Sequence, residues 1–289
     1  MAIKGIRNTS RPEARKIVEK YLENKGYSKS TEHYLFEFNL LLKNLEYANN
    51  ALKMIDYYRK LDVNDKKVLD AGCGGGGISI QLSKLGAKVT GVDLDVGKLE
   101  LAKQLSKDEM VNPIFKKIDL IKPFFEDNSF DTIYCINALE HVDPKILVKR
   151  LYSCLKSEGT LVLKTPNRLF PFETHIKKFF LHYLPISVVD FYLRHRYKSF
   201  FFDYKSFSEI KLLSLRSLKS VLKSLPGSAS YSIKPVFWPY FPNVIKSKPE
   251  FGFLKPLSFL KKSKLLNKLF TSPKMNLFAQ SWIIFVKKK

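Results

Sequence analysis

The chain has 289 residues, 45% hydrophobic and 27% charged, with 50 Lys/Arg against 27 Asp/Glu for a net charge of +23. Length and composition allow one sizeable core. No apolar run approaches the ~18 residues of a membrane span, and the start MAIKGIRNTSRPEARK lacks the apolar core of a signal peptide. These features exclude a helical integral membrane protein and predict a cytosolic chain. The charge is uneven: residues 151–289 hold 25 basic residues and 6 acidic ones. Such a field favours anionic partners (nucleic acid, acidic lipid headgroups or phosphorylated metabolites) without choosing among them.

Between Leu35 and Leu61, the residues Leu41, Leu45, Ala48, Leu52 and Ile55 recur every three to four positions and predict one helix with a buried face. KKVLDAGCG then reads as a short strand ending in glycines, GISIQLSKLG as a helix stopped by Gly86, and AKVTGVDLD as a second strand ending in acids. Together they make one βαβ unit. The alternation continues through a helix around Leu99 to Leu105, strands in PIFKKID and FDTIYCINAL, a helix from Ile146 to Leu155, and a strand in GTLVLKTPN. This pattern predicts a parallel sheet covered on both faces. After Asn167 comes an aromatic, basic stretch to Tyr204 without a strand period. Ser206 and Glu209 have capping-box spacing ahead of a stripe of Leu215, Leu218, Leu222 and Leu225 that ends in PG. SYSIKPVFW and FAQSWIIFVKK read as the last two strands, around a Pro-, Lys- and Phe-rich excursion. Cys73, Cys135 and Cys154 lack metal-ligand spacing and read as small core residues within regular elements.

Four consecutive glycines, Gly74 to Gly77, imply that some partner approaches this backbone closely. Gly72, Gly74 and Gly77 satisfy G-x-G-x-x-G, and Asp93 follows about twenty residues on, as in a dinucleotide-binding fingerprint. Asp70 argues for a different ligand. At the strand end before the turn, its carboxylate would repel a pyrophosphate and hold a cationic amino group. The better ligand has a ribose for Asp93 and a cationic amino-acid tail for Asp70 and the glycine backbone. S-adenosylmethionine has both.

VLDAGCGGG, VTGVDLD, KKIDLIKPFFEDNSFD, YCINALEHV and LKSEGTLVLKTPN stand in the order and spacing of the class I S-adenosylmethionine-dependent methyltransferases, which the chain resembles over about residues 50 to 170. The resemblance implies an α/β fold, a doubly wound, mostly parallel seven-stranded sheet with an antiparallel last strand. It implies a helical N-terminal extension over 1–60 and a methyltransferase domain over 61–289, with basic, aromatic, helical insertions at about 168–203 and 239–275. By the same resemblance Asp70, Gly72 and Gly74 cradle the methionine part of S-adenosylmethionine, and Asp93, with Leu94 beside it, grips the ribose hydroxyls. Asp119 meets the adenine amino group, Leu120 packs near the ring, and Asn137 lines the cofactor floor.

Methyl transfer from a sulfonium is an in-line displacement, and a base is needed only where the nucleophile is a hydroxyl. Two candidate pairs follow the fourth and fifth strands, Glu140–His141 and Glu173–His175, each with a carboxylate able to orient a histidine ring and raise its basicity. LEHV resembles a loop of quinone-biosynthesis O-methyltransferases, but Asn137 stands where some of those enzymes have an acid, so no metal is expected. TPNRLFPFETH resembles a segment of methyltransferases near glycan and lipid biosynthesis, which inclines His175 toward the acceptor. His182 and His195 read as structural. The expectation is O-methylation of a small, glycan or lipid-linked acceptor, with His141 or His175 as base. KKFFLHYLPISVVDFYL and FGFLKPLSFLKKSKLLNKLF would be aromatic walls or would meet an anionic membrane surface, leaving the protein cytosolic or peripheral to the membrane. RNA methylation is one alternative, favoured by charge but without an RNA-binding motif, paired catalytic cysteines or an NPPY-like segment. A non-catalytic scaffold is another, and the Asp70 and Asp93 pair argues against it.

Overall fold

The computed structural model describes residues 11–122, 125–173, 175, 176, 178–196, 204–227, 229–236, 276 and 279–289. The excursion expected at 239–275 lies outside them. The strands are β1 (Lys67–Ala71), β2 (Lys88–Asp93), β3 (Ile114–Lys117), β4 (Phe130–Ile136), β5 (Leu155–Pro166), β6 (Phe172–Glu173), β7 (Lys178–Phe179), β8 (Ser230–Val236) and β9 (Ser281–Lys287). The helices are α1 (Pro12–Asn24), α2 (Glu32–Leu42), α3 (Asn44–Tyr58), α4 (Gly77–Lys84), α5 (Val96–Asp108), α6 (Pro144–Cys154), α7 (Ile186–Arg196) and α8 (Leu215–Lys223).

Seven strands form one sheet in the order β3-β2-β1-β4-β5-β9-β8, with β9 antiparallel to both its neighbours. This is the doubly wound, mostly parallel sheet that the sequence predicts. Strand order reverses between β1 and β4, and ligands of such sheets bind beyond the carboxyl ends of the strands at that point. β1 shows why the strands read as apolar runs: it is buried on both faces. Leu69 and Ala71 pack with Leu147, Leu151, Leu218 and Leu222 of α6 and α8, while Val68 packs with Ile55, Ile78 and Leu82 of α3 and α4. Asp70 shares the face of Val68 by alternation and so points toward α4.

The single helix expected between Leu35 and Leu61 is two. Lys43, at φ −90° and ψ 15°, separates α2 from α3. The apolar stripe continues across this break because it serves two cores. Leu41 and Leu45 pack with α1 and α5, whereas Ala48, Leu52 and Ile55 pack on the sheet. The expected capping box is also displaced. Ser206 caps only the short turn Phe207–Glu209, and α8 begins after Ser214, whose hydroxyl accepts the Ser217 amide (3.2 Å) while Ser217 Oγ accepts the Ser214 amide (2.8 Å). A serine at the third helical position does what the pattern assigns to an acid. The cysteines are free and buried, but Cys73 lies in the glycine turn rather than in a regular element.

Candidate active site

β1 ends at Ala71, and the next two amides, Gly72 and Cys73, both donate to the Val92 carbonyl (2.8 and 2.9 Å). The glycine turn is thereby fastened to the end of β2. Gly72 has φ +75°, and a Cβ there would stand 2.4 Å from the Ala138 Cβ beyond β4. Gly74, at φ +52°, differs: a Cβ there would meet nothing within 4 Å. The other glycines of the run are approached by protein, Gly75 and Gly77 by Asn44 of α3, Gly76 by Ala102 and Phe115. The partner that needs glycine in this run is therefore mostly the helix packed behind the turn, and Gly74 is left facing open space.

Asp70 is 2% exposed, and its carboxylate accepts the Ser79 hydroxyl of α4 at 2.6 Å. Burial pushes this carboxyl up to about 7; the Ser79 hydrogen bonds pull the other way and the Asp93 charge adds to the rise. Asp93 accepts the amides of Gly74 (2.8 Å) and Asp95 (2.9 Å), one on each oxygen, so the turn and the acid at the end of β2 hold each other. Leu94 beside it is 60% exposed. After β3, Asp119 accepts the Ile121 amide at 3.1 Å, and the buried Leu120 reaches the same space as Ala138, 3.9 Å from a Gly72 Cβ position. Asn137, at φ +54°, closes the group: its amide donates to the Lys164 carbonyl and its Oδ1 accepts the Lys164 ammonium, both at 2.8 Å. Asp93 at the open glycine, Asp70 behind the turn and Asp119 after β3 offer acids for a ligand that carries a cation, vicinal hydroxyls and an exocyclic amine.

Two residues past Ala138 a second cluster begins. Glu140 is buried, with Thr165 Oγ1 donating to its carboxylate at 3.2 Å. Burial pushes its carboxyl up, against the pull of His175. Glu173, also buried, accepts the amides of His175 (2.7 Å) and Ile176 (2.8 Å) and bonds His175 Nδ1 at 2.6 Å. Burial opposes its charge, but His175 and these hydrogen bonds outweigh it and hold the carboxyl below the usual range. The exposed His141 ring meets His175 edge-on at 5.3 Å, and the Tyr204 hydroxyl lies 3.1 Å from His141 Nδ1. The two histidine pairs that the sequence singles out thus form one cluster. Glu140, His141 and His175 each offer a ligand atom, all within 4.8 Å of one another, a spacing that suits a divalent cation where the sequence leads to none. Tyr204 and Thr165 escaped sequence reasoning, since nothing in the pattern sets that tyrosine or threonine apart. His182 is buried, with Nε2 3.0 Å from the Arg168 carbonyl; His195 lies on the exposed end of α7, its Nδ1 2.8 Å from the Phe191 carbonyl.

Residues 69–163 match the family model of a methyltransferase domain. A ubiquinone biosynthesis O-methyltransferase from Histophilus somni (strain 2336) is 37% identical over 115 residues, covering 37% of this chain and 48% of that protein. The chain spans about half the length of the curated relatives it matches. An S-adenosylmethionine dependent methyltransferase from Mesorhizobium loti has a TM-score of 0.52 at 17% identity, over 82% of this chain and 96% of its own. Phosphoethanolamine N-methyltransferase 2 from Haemonchus contortus, in complex with S-adenosyl-L-methionine, has 0.56 at 17% identity, over 94% and 60%. Both solved structures share the fold described above. Residues 69–163 thus match a methyltransferase domain, the class to which the S-adenosylmethionine dependent neighbour from Mesorhizobium loti also belongs. The cofactor of that class is S-adenosylmethionine.

Proposed function

We propose that this chain methylates a hydroxyl oxygen of a small, glycan or lipid-linked acceptor, with His175 as general base. The observation that carries the reading is the buried Glu173 carboxylate bonded to His175 Nδ1 at 2.6 Å. A carboxylate in that place accepts a hydrogen bond from Nδ1–H, fixes the tautomer and raises the basicity of Nε2, the nitrogen that then removes the hydroxyl proton. A ring oriented in this way is what an oxygen acceptor needs and a preformed amine does not. The relatives' description as O-methyltransferases supports the same atom.

When bound, S-adenosylmethionine supplies a methyl group activated by a positively charged sulfur. Asp93 and the open side of Gly74 suit its ribose and amino-acid tail, Asp119 and Leu120 its adenine, and Asn137 the floor between them. Asp70, behind the turn, supplies negative charge for the cationic tail. Ala138 bridges the two halves, touching Gly72 on one side and leading into Glu140 and His141 on the other. His141, stacked on Tyr204 at 5.9 Å, lines the acceptor side.

The test is transfer of labelled methyl from S-adenosylmethionine into cell extract by the full chain, followed by separation of lipid, glycan and RNA fractions. Label in lipid or glycan that disappears with His175→Gln, at unchanged cofactor affinity, supports the reading. Label in RNA, or undiminished transfer by His175→Gln, overturns it.

A further inference from the structure

The segment that carries His175 also builds an exposed apolar face. α7 buries Val189 and Leu193 against Ile176, Phe207 and Ile210, a small core apart from the sheet. On the outer side Phe179, Phe180, Leu184, Ile186, Val188 and Phe191 are 45–66% exposed. Scattered exposed apolar residues are ordinary, but this many within residues 179–191 are a concentration. Aromatic contacts run along it from Phe172 to Phe179 (4.9 Å), to Phe180 (6.1 Å) and on to Tyr183 (6.1 Å). Phe180 has φ +61°, a left-handed conformation that is costly for a bulky residue. It is fixed there by its amide donating to the Pro171 carbonyl (2.7 Å) and its carbonyl accepting the Tyr183 amide (3.1 Å). The fold thus tolerates strain to place a phenylalanine in water.

Cations lie in the same segment. Lys178 lies on β7, and Arg194 and Arg196 close α7. Residues 151–289 as a whole carry 25 basic groups against 6 acidic ones, and of the acids in this segment Glu173 is turned inward to His175 and Asp190 to the Phe207 amide (2.8 Å). Exposed rings and aliphatic groups interleaved with cations match an interface of acyl chains under anionic headgroups. No helix among the described residues is long and apolar enough to cross a membrane.

We propose that the β6–β7 hairpin and the outer side of α7 seat the protein on an anionic lipid surface, with the hairpin that holds His175 against the membrane. The docking stands on these residues alone; only its purpose, collecting a lipid-linked acceptor, rests on the function proposed above. The experiment is co-sedimentation of the full chain with phosphatidylcholine vesicles, with and without phosphatidylglycerol. Phe180→Gly and Phe191→Ser are compared with the unaltered protein. Glycine suits the Phe180 backbone, so that variant removes a ring without endangering the fold. The expected result is binding only to the anionic vesicles, falling steeply from low to physiological salt and dropping about tenfold in the double variant. Calorimetric affinity for S-adenosylmethionine should stay unchanged. Absence of binding, binding indifferent to salt, or binding undiminished in the double variant overturns the proposal. So does a dimer that the double variant dissociates, because a second copy would then cover this face. Vesicle binding without methyl transfer into lipid would leave the docking standing and remove the acceptor reading.

Discussion

Around the glycine turn the contacts are made by main chain. The Gly72 and Cys73 amides meet the Val92 carbonyl, the Gly74 amide meets Asp93, and neighbours crowd Gly72, Gly75, Gly76 and Gly77 where a side chain would begin. Around His175 they are made by side chains: a carboxylate on Nδ1, a second imidazole edge-on, and a tyrosine over His141. A main-chain site leaves no room for anything larger than glycine except at Gly74, so altering its crowded positions should disturb fold and cofactor together. A side-chain site can be emptied one group at a time. On that side rate should change while cofactor affinity stays fixed.

The largest expected effect separates the two sides most sharply. His175→Gln and Glu173→Gln should each lower methyl transfer by about 10²–10⁴-fold, the range for a positioned base. Calorimetric affinity for S-adenosylmethionine should move less than about twofold, which is under ~0.4 kcal/mol. Parallel losses of affinity and rate would show that the acceptor side is not independent. On the other side, Gly72→Ala should cost about 3 kcal/mol or more in denaturant unfolding, since a left-handed backbone and a 2.4 Å approach to Ala138 act together. Gly74→Ala meets no neighbour and should cost only about 1 kcal/mol while weakening cofactor binding about tenfold or more. Undiminished cofactor affinity in Gly74→Ala would mean that the open side of Gly74 is not where the ligand lies.

A smaller effect follows from Asp70. Its folded pKa of about 7 lies above the ordinary carboxylate value of about 4. A group raised in this way stabilises the fold fully below the unfolded value and loses that contribution as pH rises through the folded one. The ligand-free protein should therefore melt at lower temperature at about pH 8 than at about pH 5, and Asp70→Asn should flatten that slope. A cationic ligand favours the ionised form, so cofactor affinity should rise through the same window, by at most about tenfold per pH unit, and Asp70→Asn should remove the dependence. A pH-independent affinity in the unaltered protein would place Asp70 outside the electrostatics of the cofactor.

Much of the sheet and of the glycine turn was legible because each signal is local. Strands buried on both faces read as apolar runs, and the turn and its acids follow one another along the chain. The histidine pairs were legible for the same reason. What was hidden depends on how separate segments meet. Leu41 and Leu45 share a period with Ile55 while serving another core, so no pattern marks the break at Lys43. Tyr204 reaches His141 only because Ile176, Val189, Leu193, Phe207 and Ile210 collapse into a small core of their own. Asn44 is unremarkable in the sequence, yet it decides why Gly75 and Gly77 are glycines.

Asn137 stands where the two sides join, and it gives the finest test. Its backbone is left-handed, its amide is fastened to β5, and its side chain takes the Lys164 ammonium just before Ala138 turns toward Gly72. Asn137→Gly keeps the backbone fastening and removes the side chain. Glycine accepts φ +54° without penalty, so unfolding free energy should change by about 0.5 kcal/mol or less, the relief of strain offsetting the lost exposed contact. If the amide lines the cofactor floor, affinity should weaken about threefold, a loss under ~1 kcal/mol, with the turnover rate at saturating cofactor unchanged. If turnover falls and affinity does not, the side chain belongs to the acceptor side, and the division between a main-chain half and a side-chain half runs through β4 rather than beyond it. If neither moves, the backbone of this loop alone forms the floor, and the main-chain character of the cofactor side extends one strand further than the glycine turn.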